Sequence, residues 1–190
     1  SSSGTTDTTY ATFNAADNTA VTVDAWRNIK FIQFGGSAQN AFTISGGTIV
    51  LTADGSIVNF YNEHSLTHAL ASPVLLEGNA TCEDNSMATG SNLSFSGGIT
   101  SGVSGGTQTL TLGGSNAGRS EISGVIGDGT GTVALSKTGA GTWTLSGANT
   151  YSGGTTITTG TLKAGNAAAV GSGALTNNAT LDIGTTDLSV

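Results

Sequence analysis

Two groups of residues in this chain are of the types that do chemistry. The segment Glu63-His64-Ser65-Leu66-Thr67-His68 sets two imidazoles four positions apart, a spacing that would bring both to one metal ion if the segment were helical. The pattern is not that of a metalloprotease, because the Glu precedes the first His and no third ligand is evident. His64 and His68 are therefore read as exposed loop residues that hold no structural metal. The second group is Asp54, Glu63, Glu77, Glu83 and Asp84, with Arg27 and Lys30 as the nearest bases in sequence. Clustered carboxylates beside a base are what a polysaccharide lyase or hydrolase requires. The second half adds little beyond Glu121 and Asp128. These charges are read as scattered and solvated, so no residue is assigned a catalytic, cofactor-binding or metal-binding role and no cofactor is expected.

Smaller signals have plainer readings as well. Gly127-Asp128-Gly129-Thr130-Gly131 has the look of a calcium-binding glycine-aspartate repeat, but such sites need the nonapeptide in tandem, and a tight turn is the better reading. Asn79, Asn92 and Asn178 each begin an Asn-X-Ser/Thr triplet, which arises readily in a Thr-rich chain; they are read as ladder or turn positions. Trp26, Phe31, Phe34, Phe60 and Tyr61 form the densest aromatic group. Filling of a wider coil is preferred for them over a sugar-stacking platform. Cys82, the lone cysteine, excludes an intramolecular disulfide and reads as a small buried hydrophobe.

Composition limits what could position these groups. The chain has 190 residues, a net charge of −7, 9% charged residues and 30 glycines against 1 proline. Its mean hydropathy of +0.07 is too high for a disordered polar tail. Five basic residues cannot neutralise a run of phosphates, which argues against nucleic acid. No apolar run approaches the roughly 18 residues that cross a bilayer. A start at Ser1 that does not resemble a signal peptide leads to the expectation of a processed or excerpted chain.

The elements themselves are legible as alternation with period two. Val21 and Val23, Phe42 and Ile44, Ile49 and Leu51, Leu110 and Leu112, Trp143 and Leu145, and Leu181 and Ile183 each enclose one intervening residue, usually Thr or Ser. Glycine pairs such as Gly35-Gly36, Gly46-Gly47, Gly105-Gly106 and Gly153-Gly154 mark corners between them. The best helical candidate, Glu63 to Leu76, is broken by Pro73 and reads as a loop or protruding turn. Short strands echo one another: Thr142 to Gly147 repeats the style of Thr109 to Gly114, and Gly160-Thr161-Leu162 returns as Ala179-Thr180-Leu181. Such self-similarity favours stacked rungs over a sandwich or barrel, with Val21, Ile44, Leu51, Leu112, Leu145, Leu162 and Leu181 pointing inward.

The stretch from Leu135 to Leu162, with its Lys137-Thr-Gly-Ala-Gly corner, the Thr142 to Gly147 strand, the Asn149-Thr-Tyr-Ser-Gly-Gly turn and Gly160-Thr-Leu, resembles the autotransporter-associated β-strand repeat of bacterial passenger domains. Gly171-Ser-Gly-Ala-Leu and Ala179-Thr-Leu-Asp-Ile-Gly184 look like its continuation. The resemblance implies an all-β, right-handed parallel β-helix, residues 1–190 forming a single solenoid unit in which 135–184 is the best-matching region. It further implies an extracellular or cell-surface location and a structural or adhesive rod or filament subunit, and it implies no common activity. The alternative is a carbohydrate-active β-helix enzyme or a carbohydrate-binding passenger. Copies of the chain end to end, or the rest of a longer parent chain, are the expected partners, with a host or matrix glycan as a further one. Neither nucleic acid nor membrane insertion of this segment is expected.

Overall fold

The computed structural model describes residues 8–13, 20–35, 40–60, 64–88 and 90–188. Strands β1 (Thr8–Phe13), β2 (Ala20–Val23), β3 (Arg27–Phe34), β4 (Thr43–Gly46), β5 (Ile49–Phe60), β6 (Thr67–Leu70) and β7 (Val74–Leu76) open the chain. They are followed by β8 (Ala80–Asn85), β9 (Asn92–Phe95), β10 (Ile99–Ser101), β11 (Thr107–Gly114), β12 (Ser120–Ile122) and β13 (Ile126–Gly129). The last are β14 (Thr132–Lys137), β15 (Thr142–Leu145), β16 (Thr155–Ile157), β17 (Thr161–Ala164), β18 (Leu175–Asn177) and β19 (Thr180–Asp182). No helix occurs among the described residues, and their strand pairs are all parallel. The fold is a parallel β-solenoid.

Three faces wind around one core. The first comprises the leading parts of β3 and β5 with β7, β10 and β13. The second comprises β1, the trailing parts of β3 and β5, then β8, β11, β14, β16 and β18. The third is an eight-stranded sheet running β2-β4-β6-β9-β12-β15-β17-β19. One coil takes 25 residues where Ile57 pairs with Cys82, and 19 where Trp143 pairs with Leu162. The shortening follows from the loss of first-face strands after β13. There the side-chain amide of Asn149 replaces a backbone rung: its Oδ1 accepts the Ile126 N–H at 2.9 Å and its Nδ2 donates to the Ala169 carbonyl at 2.6 Å.

Register turns alternation into ladders. Ile32, Ile57, Cys82, Leu112, Lys137 and Ile157 stack inward on the second face, and Ile44, Leu70, Phe95, Ile122, Leu145 and Ala164 on the third. Apart from Lys137 these are the apolar side chains whose burial drives the stack, at about 1.5–3 kcal/mol for each large one. Of the residues expected inward, Ile44, Leu51, Leu112, Leu145 and Leu162 are buried, while Val21 and Leu181 are partly so. Gly160-Thr-Leu and Ala179-Thr-Leu do stack, as Leu162 on Leu181. The other echo does not: Thr109 to Leu112 lies on the second face and Thr142 to Leu145 on the third. A strand's alternation states which side is buried, and the corners alone decide which face it joins.

Two expectations are corrected here. Residues 64–76 are not a protruding turn, since β6 and β7 are full members of the stack, with Pro73 placed just before β7, where its missing N–H is harmless. The aromatic group does not uniformly fill the core either. Phe34 is buried, but Trp26 stands 49% exposed at the turn before β3, and Phe31 points outward under Tyr10 with ring centres 4.8 Å apart. Tyr61 and Gly36 lie outside the described residues.

Candidate functional site

The carboxylates named from sequence do not share a face. Alternation along β8 turns Glu83 outward and Asp84 inward. Asp54 occupies a corner inside β5 at φ 58°, its N–H donating to the Asn79 carbonyl at 2.9 Å, and Glu77 is exposed beyond β7. Glu63 lies outside the described residues. Arg27 grips Asp24 through Nε at 2.8 Å and Nη2 at 2.6 Å, and this contact holds the Asp24 carboxyl below its ordinary range. Asp128 lies within strand β13 instead of forming an isolated turn. Partial desolvation would raise its pKa, but the N–H groups of Val133 and Ser152, at 2.9 and 3.0 Å, bring it below the usual value. Asn79 accepts from Thr109 N–H, and Asn92 donates to the Gly90 carbonyl while accepting from Arg119 N–H, so both serve the backbone as ladder positions.

Asp84 is an organiser of the core. Its Oδ1 accepts from Asn59 Nδ2 at 3.1 Å and from the backbone and hydroxyl of Ser86 at 3.0 and 2.7 Å. Its Oδ2 accepts from Leu93 N–H at 3.2 Å, Asn116 Nδ2 at 3.0 Å and the Ser120 hydroxyl. No lysine or arginine pairs with it among the described residues. A buried carboxylate satisfied by dipoles from successive rungs is a structural device that fixes a corner.

The histidines separate as well, against expectation. His64 is exposed, but His68 on β6 is fully buried. Its ring lies 4.5 Å from Phe34 at an interplanar angle of 9°, and its Nδ1 accepts the Phe42 N–H at 3.2 Å. That bond requires the neutral imidazole. Desolvation accordingly drops the pKa to about 4, with the Asp84 charge opposing in part. His64 precedes β6 and is exposed while His68 lies within it and is buried, a separation that helical spacing could not reveal. Cys82 sits in the second-face ladder, where burial pushes its thiol up to about 12.

What the sequence did not bring together, the third face does. Glu121, Thr144, Lys163 and Asp182 occupy consecutive outward positions on β12, β15, β17 and β19. Beside them run Arg119, Thr142 and Thr161. These residues and Gly118 line a groove of about 460 Å³. Lys163 and Asp182 pair at 3.6 Å, and Glu121 accepts the Ser146 hydroxyl on the next rung. Arg119 is exposed, and no carboxylate lies within ion-pair distance of its guanidinium among the described residues. The second face offers the contrast of an uncharged lane, Ser56, Thr81, Thr111, Ser136, Thr156 and Thr176, in one outward column. Arg119, Lys163 and Asp182 were missed because their convergence depends on coil length, and the coil shortens between them.

Under the groove, the same coils are held by polar groups turned inward. Trp143 Nε1 donates to the Gly113 carbonyl at 2.8 Å, and the Tyr151 hydroxyl meets Thr155 Oγ1 at 2.6 Å. Desolvation moves the Tyr151 phenol up to about 12. Lys137 Nζ donates to the carbonyls of Thr138, Gly139 and Thr159 at 2.6, 2.9 and 3.3 Å, and burial lowers its pKa to about 8. Gly139 and Gly160 both take positive φ at this corner, and a Cβ on Gly160 would collide with the carbonyl oxygens of Gly139 and Gly141. Residues 135–164, which contain all of these features except Gly113, match the family model of the passenger-associated-transport-repeat. That stretch is similar to a passenger-associated transport repeat. Over 178 residues, 93% of its length, it is 32% identical to the adhesin BmaC autotransporter of Brucella suis biovar 1 (strain 1330). The match spans 4% of that relative's length. No solved structure matches the chain. The likeness to autotransporter passengers suggested by residues 135–184 is thereby shown, and the chain is an extracellular or cell-surface segment. Thr142, Thr144, Thr161 and Lys163 of the groove belong to the passenger repeat itself, while Arg119 and Glu121 precede it and Asp182 follows.

Proposed function

We propose that this chain is a non-catalytic stretch of an adhesive passenger rod, with residues 1–190 as one solenoid unit. The observation that carries the reading is the in-register parallel stack, which holds an outer face rigid over eight successive strands, in a chain similar to an adhesin autotransporter. A stack of this kind displays side chains at a fixed spacing of about 4.8 Å without any one rung having to form a pocket. The carboxylates of the third face support it too. Glu121 and Asp182 stand three rungs apart, about 14 Å at that spacing, whereas the paired carboxyls of glycoside hydrolysis lie roughly 5–9.5 Å apart.

Beads coated with the purified chain should adhere to cultured cells or to extracellular matrix, and the chain should release no reducing or unsaturated ends from polygalacturonate. Bare-bead levels of adhesion, or cleavage lost in Glu121→Gln, would overturn the reading. Continuation of the rod has its own support. Between β1, β2, β3 and β4 lies a cavity of about 470 Å³ lined by Phe13, Val21, Ile29, Ile32 and Ile44, and a further coil stacked on β1 and β2, from a parent chain or a second copy, would bury this apolar surface.

A further inference from the structure

The five basic residues are unequally committed. Arg27 is held by Asp24, Lys163 by Asp182, and Lys137 is spent on carbonyls inside the core. Lys30 lies 5.8 Å from the centre of the Phe31 ring, away from any groove described above. Arg119 alone combines a guanidinium that has no ion-pair partner among the described residues with a concave surface, which it shares with the hydroxyls of Thr142, Thr144 and Thr161.

We propose that the third-face groove binds a saccharide bearing a single carboxylate, Arg119 taking the carboxylate and Thr142, Thr144, Thr161 and Glu121 taking the sugar hydroxyls. The inference deepens the adhesive reading, on which it rests, by assigning it a ligand class. A guanidinium offers a planar fork of donors that matches a carboxylate in bidentate fashion, which a point charge such as Lys163 does not. Each threonine hydroxyl both donates and accepts, as each sugar hydroxyl does. The groove's volume of about 460 Å³ falls within the roughly 300–1,000 Å³ of small-ligand sites.

Charge selects the ligand further. Lys163 and Asp182 pair with each other, which leaves Arg119 as the groove's cation without an ion-pair partner among the described residues, and the chain's overall charge of −7 is largely screened beyond about 8 Å at physiological salt. Glu121 stands two residues from Arg119 and lines the same groove. It can accept from hydroxyls but repels a second anionic group, which disfavours polyanions such as sulfated or phosphorylated chains. The backbone beneath is fixed by paired rungs, Thr142 on Thr161 and Thr144 on Lys163, so little ordering is needed on binding.

The test is titration of the full chain, followed by chemical shifts or calorimetry, with methyl sialoside, methyl glucuronide and neutral methyl glucoside. At least one acidic glycoside should saturate in the millimolar range and bind about tenfold more tightly than the glucoside, and whichever does so names the source of the carboxylate. Arg119→Gln should lose about tenfold in affinity while keeping its circular dichroism and melting temperature, and added salt should weaken the wild type. Absence of saturation by both acids up to about 50 mM, or equal binding by Arg119→Gln, would overturn the proposal. Coated-bead adhesion separates the two readings. Adhesion that persists undiminished in Arg119→Gln beside absent glycoside binding sinks the groove and spares the adhesive rod; glycoside binding without any adhesion does the reverse.

Discussion

The coils around His68 and Asp84 and those around Lys137 and Tyr151 solve one problem with different numbers of residues. The earlier coils have three strand faces, and at 25 residues their wider interior takes in Phe34, Phe42 and the His68 ring, with Asp84 knitting Asn59, Ser86, Asn116 and Ser120 across successive rungs. The passenger repeat closes in 19 or 20 residues, because the Asn149 side chain stands in for a first-face strand and the buried Tyr151 packs into the same coil. In the longer coil a buried acceptor, Asp84, gathers inward donors, while in the shorter one a buried donor, Lys137, gathers inward carbonyls.

The comparison can be broken first at the side chain that fills the shorter coil. Trp143→Ala should cost about 4 kcal/mol, through lost indole volume and its bond to Gly113, as measured by urea unfolding. In hydrogen exchange the loss of protection should centre on β12, β15 and β17 and leave β3 to β8 protected, because stacked coils couple mainly to their neighbours. Uniform loss along the chain would mean that the two regions are one cooperative unit. Asp84→Ala in the longer coil should cost about 3 kcal/mol, since it strands buried donors, and protection should fall around β5, β8 and β9.

Acid and alkali should then tell the regions apart. His68 has a folded pKa of about 4 against an ordinary 6.5, so the unfolded chain binds more protons in that window and stability falls as pH drops from about 6.5 to 4, by on the order of 2 kcal/mol after allowance for screening. In His68→Phe this acid slope should flatten. Lys137 has a folded pKa of about 8 against 10.5, so the unfolded chain again binds more protons between those values and stability rises as pH climbs through them. Lys137→Met should remove that alkaline rise and leave the acid slope intact. Thermal melts of the three proteins across pH 4–10.5 measure both, and a single variant that abolished both slopes would refute the separation.

The period-two alternation by itself determined that the chain is all strand and turn, and which side chains of each strand are apolar and inward, because a strand has only two sides and water excludes one of them. The Leu135 to Leu162 stretch likewise carried its own kinship, since its corner glycines, its Asn149 and its Trp143 all serve geometry within one or two neighbouring rungs. Register was beyond local pattern. It set His68 into an aromatic stack while His64 is exposed, and lodged Lys137 among apolar ladder residues. It also gathered Arg119, Glu121, Lys163 and Asp182 on one outer face. Each of these depends on how many residues the intervening coil consumes, and that number is fixed by corners whose side chains bond to other rungs, so only the assembled stack could decide it.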